Sequence, residues 1–431
     1  MKILIATDAF PPVCGGSGWS TYELARGLRA RGHDVQIVQP APGAAGDVTD
    51  RDYDGFGVRR FGFTAPQVPF VRNYFKSERL TRSLAAFLAS LIRSGQVDLV
   101  HAQHVMTALP AIEAARTTGI PVVATVRDYW PVCYWSDLLH TREGLELCPA
   151  CTAANMRACI RPRAGALWPA ALPLIPYMRA NLARKRTGLA QADAIIAVSR
   201  TIAADLRERA PELASTRVDV IPNPVNVAAL VGAARGGGTL PAGTPDGPFA
   251  LYLGKLAPNK GTAALLDVAS QARLDWPLVV AGDGPGRAAL ERQAALSHQD
   301  VRFTGWVDQQ TAAVLLGRAS MLIFPSRGPE SLSRVLLEAS ALGVPIAAMD
   351  TGGTGDIIEA DVSGLLSTSS DGLARDVARL RGDEALRRRL GEAARIRIAR
   401  DFDASAVVAR VEQLYRERIA ARADGRGCLT R

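Results

Sequence analysis

The chain has 431 residues, of which 48% are hydrophobic and 22% are charged. This composition is typical of a soluble globular protein with two or three domains. No stretch reaches the roughly 18 uninterrupted apolar residues of a membrane-spanning helix, and MKILIATDAFPPVCGG lacks the long apolar core of a signal peptide. The formal charge of +9 favours anionic partners, but no nucleic-acid-binding motif is present. We therefore expect a cytoplasmic protein that binds no nucleic acid.

Short apolar runs alternate with helical patterns along the whole chain. Strands are predicted at 2–8, 34–40, 98–103, 121–128, 194–199 and 218–223 in the first half, and at 249–255, 278–284, 301–307, 320–326 and 344–350 in the second. Near-continuous apolar strands that alternate with helices indicate parallel sheets covered on both faces. The pattern predicts an α/β protein with two doubly wound, Rossmann-like domains that face a cleft.

The alternation is interrupted where GAARGGGTLPAGTPDGP is rich in glycine and proline. We predict a linker at 223–247, between an N-terminal domain at 1–222 and a C-terminal domain at 248–402. An amphipathic helix predicted at 403–423 could pack back on the N-terminal domain. Ligands of open parallel sheets bind beyond the carboxyl ends of the strands, which is where most candidate site residues fall.

Two glycine-rich connections follow strands of the C-terminal half. GKLAPNKG places Lys255 and Lys260 around a tight turn at Gly254, next to a helix N-terminus where the helix dipole also favours an anion. This arrangement predicts phosphate binding. AGDGPGRAAL lacks the GxGxxG spacing of a dinucleotide-binding site, so we expect it to be a close-packed turn that lines the cleft.

A third connection, PSRGPESLSRVLLEA, carries two glutamates, Glu330 in the loop and Glu338 about two turns into the following helix. Helical side chains tilt toward the N-terminus, so Glu338 can reach back. Ionised carboxylates accept hydrogen bonds from vicinal hydroxyls, and the free amides of Leu332, Ser333 and Arg334 suit a phosphate. The combination predicts a nucleotide-sugar site. The alternative is that Glu338 lies on the helix surface and Glu330 is a first-turn acid.

Together these motifs resemble those of the retaining glycosyltransferases of family four, which have the two-domain GT-B fold. The resemblance covers nearly the whole chain and rests on PPVCGGSG, GKLAPNKG, VAGDGP, VRFTGWV and the Glu-x7-Glu of ESLSRVLLE. It implies that Lys255 and Lys260 hold the donor diphosphate, that Glu330 binds the transferred sugar and that Glu338 binds the ribose. It implies metal-independent catalysis that retains the anomeric configuration.

The resemblance also assigns residues of two other loops. Those implied to approach the phosphates from the N-terminal domain are Gly15 and Gly16, and those implied to lie near the base are Gly305, Trp306 and Val307. One family position differs, because Arg127 in ATVRDYWPVC replaces the strand-end histidine that often contacts the donor sugar. Arginine cannot act as a base, but Arg127 could hold a phosphate or an acidic acceptor, which makes it a catalytic candidate, or pair with Asp128. His101 and His104 end another strand, where structural roles are commoner.

Four cysteines are spaced C-x14-C-x2-C-x7-C at Cys133, Cys148, Cys151 and Cys159. A cytoplasmic chain is not expected to keep structural disulfides, and C-x2-C is the usual two-ligand unit of a structural zinc site. The four thiols could therefore hold zinc or an iron–sulfur cluster. Free reduced thiols are the alternative.

The next segment, RPRAGALWPAALPLIPYMRANLARKR at 161–186, is apolar in its centre and basic at both ends. Pro169 and Pro173 interrupt the apolar stretch, and Trp168 and Tyr177 beside arginines are typical of a membrane interface. We predict peripheral contact with the anionic inner face of a membrane. Packing into the protein core is the alternative.

These features predict a hexosyltransferase that moves a sugar from a nucleotide-diphosphate sugar to a lipid-linked or saccharide acceptor, in the synthesis of a surface polysaccharide or glycolipid. The alternatives are a sugar-nucleotide epimerase or hydrolase on the same scaffold, and a non-catalytic nucleotide-sugar-binding protein. The presence of both glutamates and both lysines argues against the non-catalytic alternative.

Overall fold

The computed structural model describes residues 1–68, 71–139, 147–236 and 238–429. The chain forms two compact α/β units. Unit 1 comprises Met1–Leu138, Cys148–Pro224 and Ala404–Arg431, and unit 2 comprises Leu139–Leu147 and Val225–Asp403.

An eight-stranded sheet forms the centre of unit 1. Its strands are β1 (Lys2–Ala6), β2 (Asp34–Pro42), β3 (Val48–Tyr53), β4 (Phe56–Phe63), β5 (Leu99–Ala102), β6 (Val122–Val126), β7 (Ala194–Ala197) and β8 (Val218–Val220). Their order is β3-β4-β2-β1-β5-β6-β7-β8, and every pair is parallel except β3 with β4. In the central register Ile5 lies opposite both Ile37 and His101. The winding reverses between β1 and β5, so the residues that follow these two strands form the crevice of this sheet.

Unit 2 contains a six-stranded sheet in which every pair is parallel. Its strands are β9 (Ala250–Leu253), β10 (Leu278–Ala281), β11 (Val301–Gly305), β12 (Met321–Phe324), β13 (Ile346–Met349) and β14 (Leu365–Ser367). The order is β11-β10-β9-β12-β13-β14, which is the strand order of a Rossmann sheet. Residues of β9, β10, β12 and β13 are almost entirely buried, as a sheet covered by helices on both faces requires.

Helices cover both faces of each sheet. They are α1 (Gly16–Ala30), α2 (Val71–Tyr74), α3 (Leu80–Gly95), α4 (Val105–Thr118), α5 (Ala153–Ala164), α6 (Trp168–Ala171), α7 (Ile175–Leu189), α8 (Arg200–Arg209), α9 (Val227–Arg235), α10 (Thr262–Gln271), α11 (Arg287–Ala295), α12 (Gln309–Arg318), α13 (Arg334–Ala341), α14 (Thr354–Ile357), α15 (Ser370–Gly382), α16 (Glu384–Asp401) and α17 (Ala404–Leu429). Within the described ranges, no helix is both long enough and apolar enough to cross a membrane.

The C-terminal helix α17 packs on unit 1. Val407, Val411 and Tyr415 are buried in the same hydrophobic cluster as residues of β1 and α1. The helices α1 and α17 approach so closely that a Cβ atom at Gly27 would overlap the side chain of Val408. The last part of the chain therefore completes the core of the first part.

The segment 223–247, which we predicted to be a linker, contains helix α9 and lies mainly in unit 2. Asn226 caps this helix, since its Oδ1 accepts a hydrogen bond of 2.9 Å from the amide of Ala229. Leu230 is buried, and α9 packs against α12. The prediction was wrong for this part of the segment, because a short helix with four alanines precedes the glycines and prolines, and packing of Leu230 stabilises it.

Candidate functional site

The winding of the unit 2 sheet reverses between β9 and β12. The loops that follow these strands, 254–261 and 325–333, therefore lie side by side at the carboxyl edge, where parallel α/β sheets bind ligands. Backbone hydrogen bonds join the two loops, because the carbonyl of Asn259 accepts from the amides of Arg327 at 3.1 Å and Gly328 at 2.8 Å. The hydroxyl oxygen of Ser326 lies 3.2 Å from the same carbonyl. The two loops form one rigid platform.

Lys260 and Glu330 meet on this platform. Lys260 Nζ donates to Glu330 Oε1 at 2.6 Å, and the hydroxyl of Ser326 donates to the same oxygen. The Glu330 side chain is 9% exposed and that of Lys260 is 33% exposed, so the lysine lies on the solvent side of the pair. Two residues that the motifs predicted separately as donor ligands are therefore in direct contact.

The backbone of Glu330 is held from a third loop. Its carbonyl accepts a 2.6 Å hydrogen bond from the amide of Gly353. Gly352 has φ +55°, and a Cβ atom there would overlap the Glu330 carbonyl oxygen. Only glycine suits this position, because it tolerates both the left-handed conformation and the close approach.

Glu338 lies in the body of α13 and is 7% exposed. Its Oε1 accepts a 2.7 Å hydrogen bond from Arg334 Nε, one turn earlier on the helix. The alternative of a helix-surface glutamate is therefore wrong. Helix α13 begins at Arg334 with Ser333 at its N-cap, which is later than the three predicted amides imply. Of the three predicted amides, only that of Arg334 belongs to the first turn, and those of Leu332 and Ser333 lie in the loop.

Close packing of backbone explains the glycines of the loops after β9 and β10. Gly254 and Gly282 have φ +154° and +143°, and a Cβ atom at Gly282 would overlap the carbonyl of Gly254. The amide of Gly282 donates to the carbonyl of Gly305 at 2.7 Å, which joins the loop after β11 to the same edge. The exposed Lys255 follows Gly254. The AGDGPG turn is thus a packing element, as we predicted.

Trp306 and Val307, which follow Gly305, lie at the same edge of the sheet. Trp306 is 73% exposed, and Val307 is half-buried. A large exposed aromatic ring beside a ligand crevice is available for stacking on a planar group.

Gly15 and Gly16 lie at the start of α1 in unit 1, after β1. Gly15 is the N-cap residue of this 15-residue helix, and a Cβ atom at Gly15 would meet nothing within 4 Å. The helix start therefore presents exposed backbone at the crevice of the unit 1 sheet, with the dipole polarity that favours an anion.

Arg127 lies at the carboxyl end of β6 and is 8% exposed. Its two terminal nitrogens donate to the side-chain oxygens of Asn223 and Gln103. Both acceptors are neutral amides, so these two contacts orient the guanidinium without neutralising its charge.

The two histidines of β5 and its loop are buried in unit 1. His101 contacts the hydroxyls of Tyr415 and Thr125, and burial together with the charge of Arg127 holds its pKa well below the usual value. Burial also lowers the pKa of His104 to about 3. Both rings are therefore neutral at pH 7 and their contacts are structural.

The sequence interpretation missed two strand-end carboxyl groups. Burial raises the pKa of Asp8, at the end of β1, to about 7, and its Oδ2 accepts a 3.0 Å hydrogen bond from the amide of Met106. Burial raises the pKa of Asp128, after β6, to about 6. Their position at strand ends was the available signal, and titratable groups with perturbed pKa values often mark functional sites.

The four clustered cysteines form no disulfide, and burial is the largest cause that raises the pKa of Cys151 and Cys159 to about 11 each. Their charges influence one another, so the predicted cluster exists. However, across the described ranges no three His, Cys, Asp or Glu side chains are grouped to hold a metal ion. The thiols of Cys148 and Cys159 instead contact backbone carbonyls at 3.3 and 3.4 Å. In this arrangement the described thiols are not grouped as metal ligands, and the zinc or iron–sulfur site stays a prediction.

Comparison with known proteins decides the family. Residues 14–229 match the family model Glycosyltransferase Family 4, and residues 242–397 match the model Glycosyl transferases group 1. The chain belongs to glycosyltransferase family 4. It is similar to the glycogen synthase of Mycobacterium tuberculosis, with 27% identity over 438 residues that cover 96% of this chain and 94% of the synthase.

Solved structures show that the glycosyltransferase has the GT-B fold. Sucrose-phosphate synthase from Thermosynechococcus elongatus aligns with a TM-score of 0.70 at 21% identity, covering 98% of this chain and all of that one. HepE of Anabaena in complex with UDP aligns with a TM-score of 0.65 at 18% identity, covering 97% and 100%. The predicted family, the fold class and the hexosyltransferase activity are confirmed.

Proposed function

We propose that this glycosyltransferase uses a nucleotide-diphosphate hexose as donor and transfers the sugar with retention of configuration, without a catalytic metal. The observation that carries the proposal is the Lys260–Glu330 pair at the point where the unit 2 sheet reverses its winding. The chain resembles HepE of Anabaena, whose structure contains UDP.

The donor-binding roles follow from the chemistry of the platform. Breaking a glycosyl–diphosphate bond places negative charge on the leaving phosphate, and preorganised cations and helix amides stabilise it. Lys260 and Lys255 supply ammonium groups at this edge, and the start of α13 supplies amides. These groups are positioned before substrate binds, because Asn259 and Gly352 hold the loops.

The two glutamates are suited to the hydroxyls of the donor. Glu330 lies next to the lysine and would accept hydrogen bonds from the transferred sugar. Glu338 would accept from the ribose while it keeps its contact with Arg334, since a carboxylate has about four acceptor positions. Trp306 would stack on the base.

A thermal-unfolding screen of UDP-, GDP- and ADP-hexoses tests the donor class. A ligand at 100 times its Kd should raise the free energy of unfolding by about 2.7 kcal/mol. Glu338→Gln should raise the Kd of the stabilising nucleotide sugar. Stabilisation by none of these nucleotide sugars would contradict the proposal. The anomeric configuration of the product, read by NMR with and without a chelator, tests retention and independence from metal.

We further propose that the acceptor is a lipid-linked or saccharide substrate of surface polysaccharide or glycolipid synthesis, and that α5 to α7 contact the anionic inner face of a membrane. Leu167, at the tip between α5 and α6, is 75% exposed. Arg157 and Arg161 on α5 and Arg179 on α7 are also exposed. An exposed apolar tip in a helical segment with exposed arginines suits shallow insertion among anionic headgroups.

A further inference from the structure

A cavity of about 460 Å³ opens in unit 1 beside α3 and α7. Four basic side chains line it, Arg79, Arg82, Arg184 and Lys185, together with a single carboxylate, Glu78. Glu78 is already engaged, because Arg184 Nη1 lies 2.7 Å from its Oε1 and Asn181 Nδ2 donates to the same oxygen at 3.2 Å. The lining therefore carries an excess of positive charge.

Lys185 is the deepest of these groups. It is 7% exposed, and burial lowers its pKa. Its ammonium lies 5.7 Å from the centre of the Tyr134 ring. Among the residues that the structure describes, no carboxylate lies within the 4.0 Å of an ion pair with Lys185 and no acceptor is hydrogen-bonded to it. A buried ammonium without such a partner is costly unless an anion approaches it.

Asn181 adds a second requirement. Its Oδ1 atom is buried and has no hydrogen-bond donor among the described residues, although its amide nitrogen is bonded to Glu78. A buried carbonyl oxygen is satisfied by a donor. A fully ionised anion such as sulfate supplies no donor to Oδ1, whereas a ligand that carries a hydroxyl group near its phosphate satisfies both Lys185 and Asn181.

The cavity lies near the carboxyl edge of the unit 1 sheet. The charge of Lys185 lowers the pKa of Asp128, which burial raises, and Asp128 follows β6 directly. A ligand held by Lys185 therefore lies near the carboxyl ends of the strands.

We propose that this cavity binds a phosphorylated sugar or polyol, with Arg79, Arg82 and Lys185 on the phosphate and Asn181 on a hydroxyl, and that this ligand is the acceptor substrate. The acceptor assignment rests on the proposed function, but the binding site itself does not. The phosphate can belong to a soluble sugar phosphate or to a glycolipid headgroup, and the two sources present the same chemistry to the cavity.

Titration of the donor-free enzyme tests the site directly. α-Glucose 1-phosphate is the soluble probe, and methyl α-glucoside is its uncharged match. Vesicles of phosphatidylcholine with and without phosphatidylinositol form the lipid arm. We expect the phosphorylated probe or the phosphatidylinositol vesicles to bind, more weakly as salt is added, and the uncharged counterparts not to bind.

Two variants and one control locate the binding. Lys185→Met should weaken binding about tenfold or more, because it removes a charged hydrogen-bond donor from a buried site. Arg82→Gln, at an exposed position on α3, should weaken it about two- to fivefold without disturbing the fold. Arg93→Gln changes an exposed arginine farther along the same helix, away from the cavity, and should leave binding unchanged.

The outcomes of these titrations distinguish the phosphate site from the donor site. Binding by soluble probe or by vesicle, lost in the cavity variants and kept in Arg93→Gln, supports the site and identifies the source of the phosphate. No binding in either arm, or equal binding by wild type and Arg82→Gln, overturns it. If Lys185→Met does not fold, Arg82→Gln and Arg79→Gln decide. Parallel titration with UDP-hexoses reports on the donor site alone, so its failure would leave the phosphate site standing.

Discussion

Lys260 and Glu330 are separated by 70 residues, yet their charged atoms lie 2.6 Å apart. The motifs predicted each residue as a ligand of the donor, but their direct contact depends on which strands are neighbours. The sequence could not show that Ser326 and Lys260 share one oxygen of Glu330, or that Gly352 holds its backbone. Residue types at strand ends were predictable, whereas contacts between loops follow from the order of the strands.

Lys260→Ala should lower kcat/KM at least about tenfold, because it removes a cation that stabilises the leaving phosphate. Steady-state kinetics of the folded variant measure this. Arg318→Ala, an exposed cation of the same unit, is the control and should retain wild-type kinetics. Near-normal turnover of Lys260→Ala would remove the lysine from the catalytic machinery.

Gly352→Ala should destabilise unit 2 and reduce activity, because alanine is strained at φ +55° and its Cβ would push against the Glu330 carbonyl. The expected loss is about 1–3 kcal/mol of unfolding free energy, measured by urea denaturation. Gly355→Ala, whose Cβ would have 3.5 Å to its nearest neighbour, should change stability by less than about 0.5 kcal/mol. Equal stability of the two variants would show that the Glu330 loop tolerates displacement.

Asp8 makes stability depend on pH. Burial raises its pKa from 3.8 to about 7, so between these values the folded state holds a proton that the unfolded state has lost. The contribution of Asp8 is therefore complete below pH 4 and is lost as the pH rises through 7. The difference in unfolding free energy between wild type and Asp8→Asn should decline over this interval, as denaturation at a series of pH values would measure. A difference that does not vary with pH would contradict the raised pKa.

At the scale of elements, buried strands were the most predictable feature. β1, β5, β6 and β10 are buried along nearly their whole length because both faces are covered, and apart from Lys2, His101 and Thr125 their residues are apolar. The hairpin of β3 and β4 was missed, since β3 is a largely exposed edge strand rich in charge. The sequence signal for this hairpin is the pair Asp54 and Gly55 between the two strands. These residues have φ +54° and +70°, as a tight hairpin turn requires.

The helices α5 to α7 carry the prediction of membrane contact. The basic end of the segment 161–186 makes contacts inside unit 1, because Arg184 pairs with Glu78, Lys185 is buried and Arg186 donates to the carbonyl of Pro131 at 2.9 Å. The prediction therefore rests instead on the exposed residues Arg157, Arg161 and Arg179.

Substitution of the residues Arg157, Arg161 and Arg179 by serine should therefore reduce flotation with anionic vesicles at low salt, because it removes about 1 kcal/mol of attraction per residue. Leu167→Asp should reduce it at any salt concentration. A matched variant with serine at the exposed residues Arg292, Arg318 and Arg375 of unit 2 controls for net charge. If wild type does not float with anionic lipid, these helices serve another purpose.

At the scale of the whole molecule, two separately wound sheets were predicted because the strand and helix alternation runs through both halves of the chain. The assignment of α17 to unit 1 rests on side-chain packing, which an amphipathic pattern alone does not specify. Val407, Val408, Val411, Leu414 and Tyr415 are buried there.

Tyr415→Ala should lower the stability of unit 1 by about 3–5 kcal/mol, because it leaves a cavity in the core and removes the contact with His101. Calorimetry should show a lower unfolding temperature for unit 1. The unfolding temperature of unit 2, which is the transition that a bound nucleotide sugar raises, should not change. A shift of both transitions by the same amount would show that the units unfold together.

The position of α17 also has a consequence for synthesis. Unit 2 occupies about 180 residues between the body of unit 1 and its last helix, and a ribosome needs roughly 10 to 35 s to make them. During that time the apolar surface of β1 and α1 lacks α17, its packing partner in the native structure. All residues of unit 2, by contrast, have been synthesised before α17. The half of the enzyme that is made first is therefore the half that finishes folding last, and it has the greater need of a chaperone in the cell.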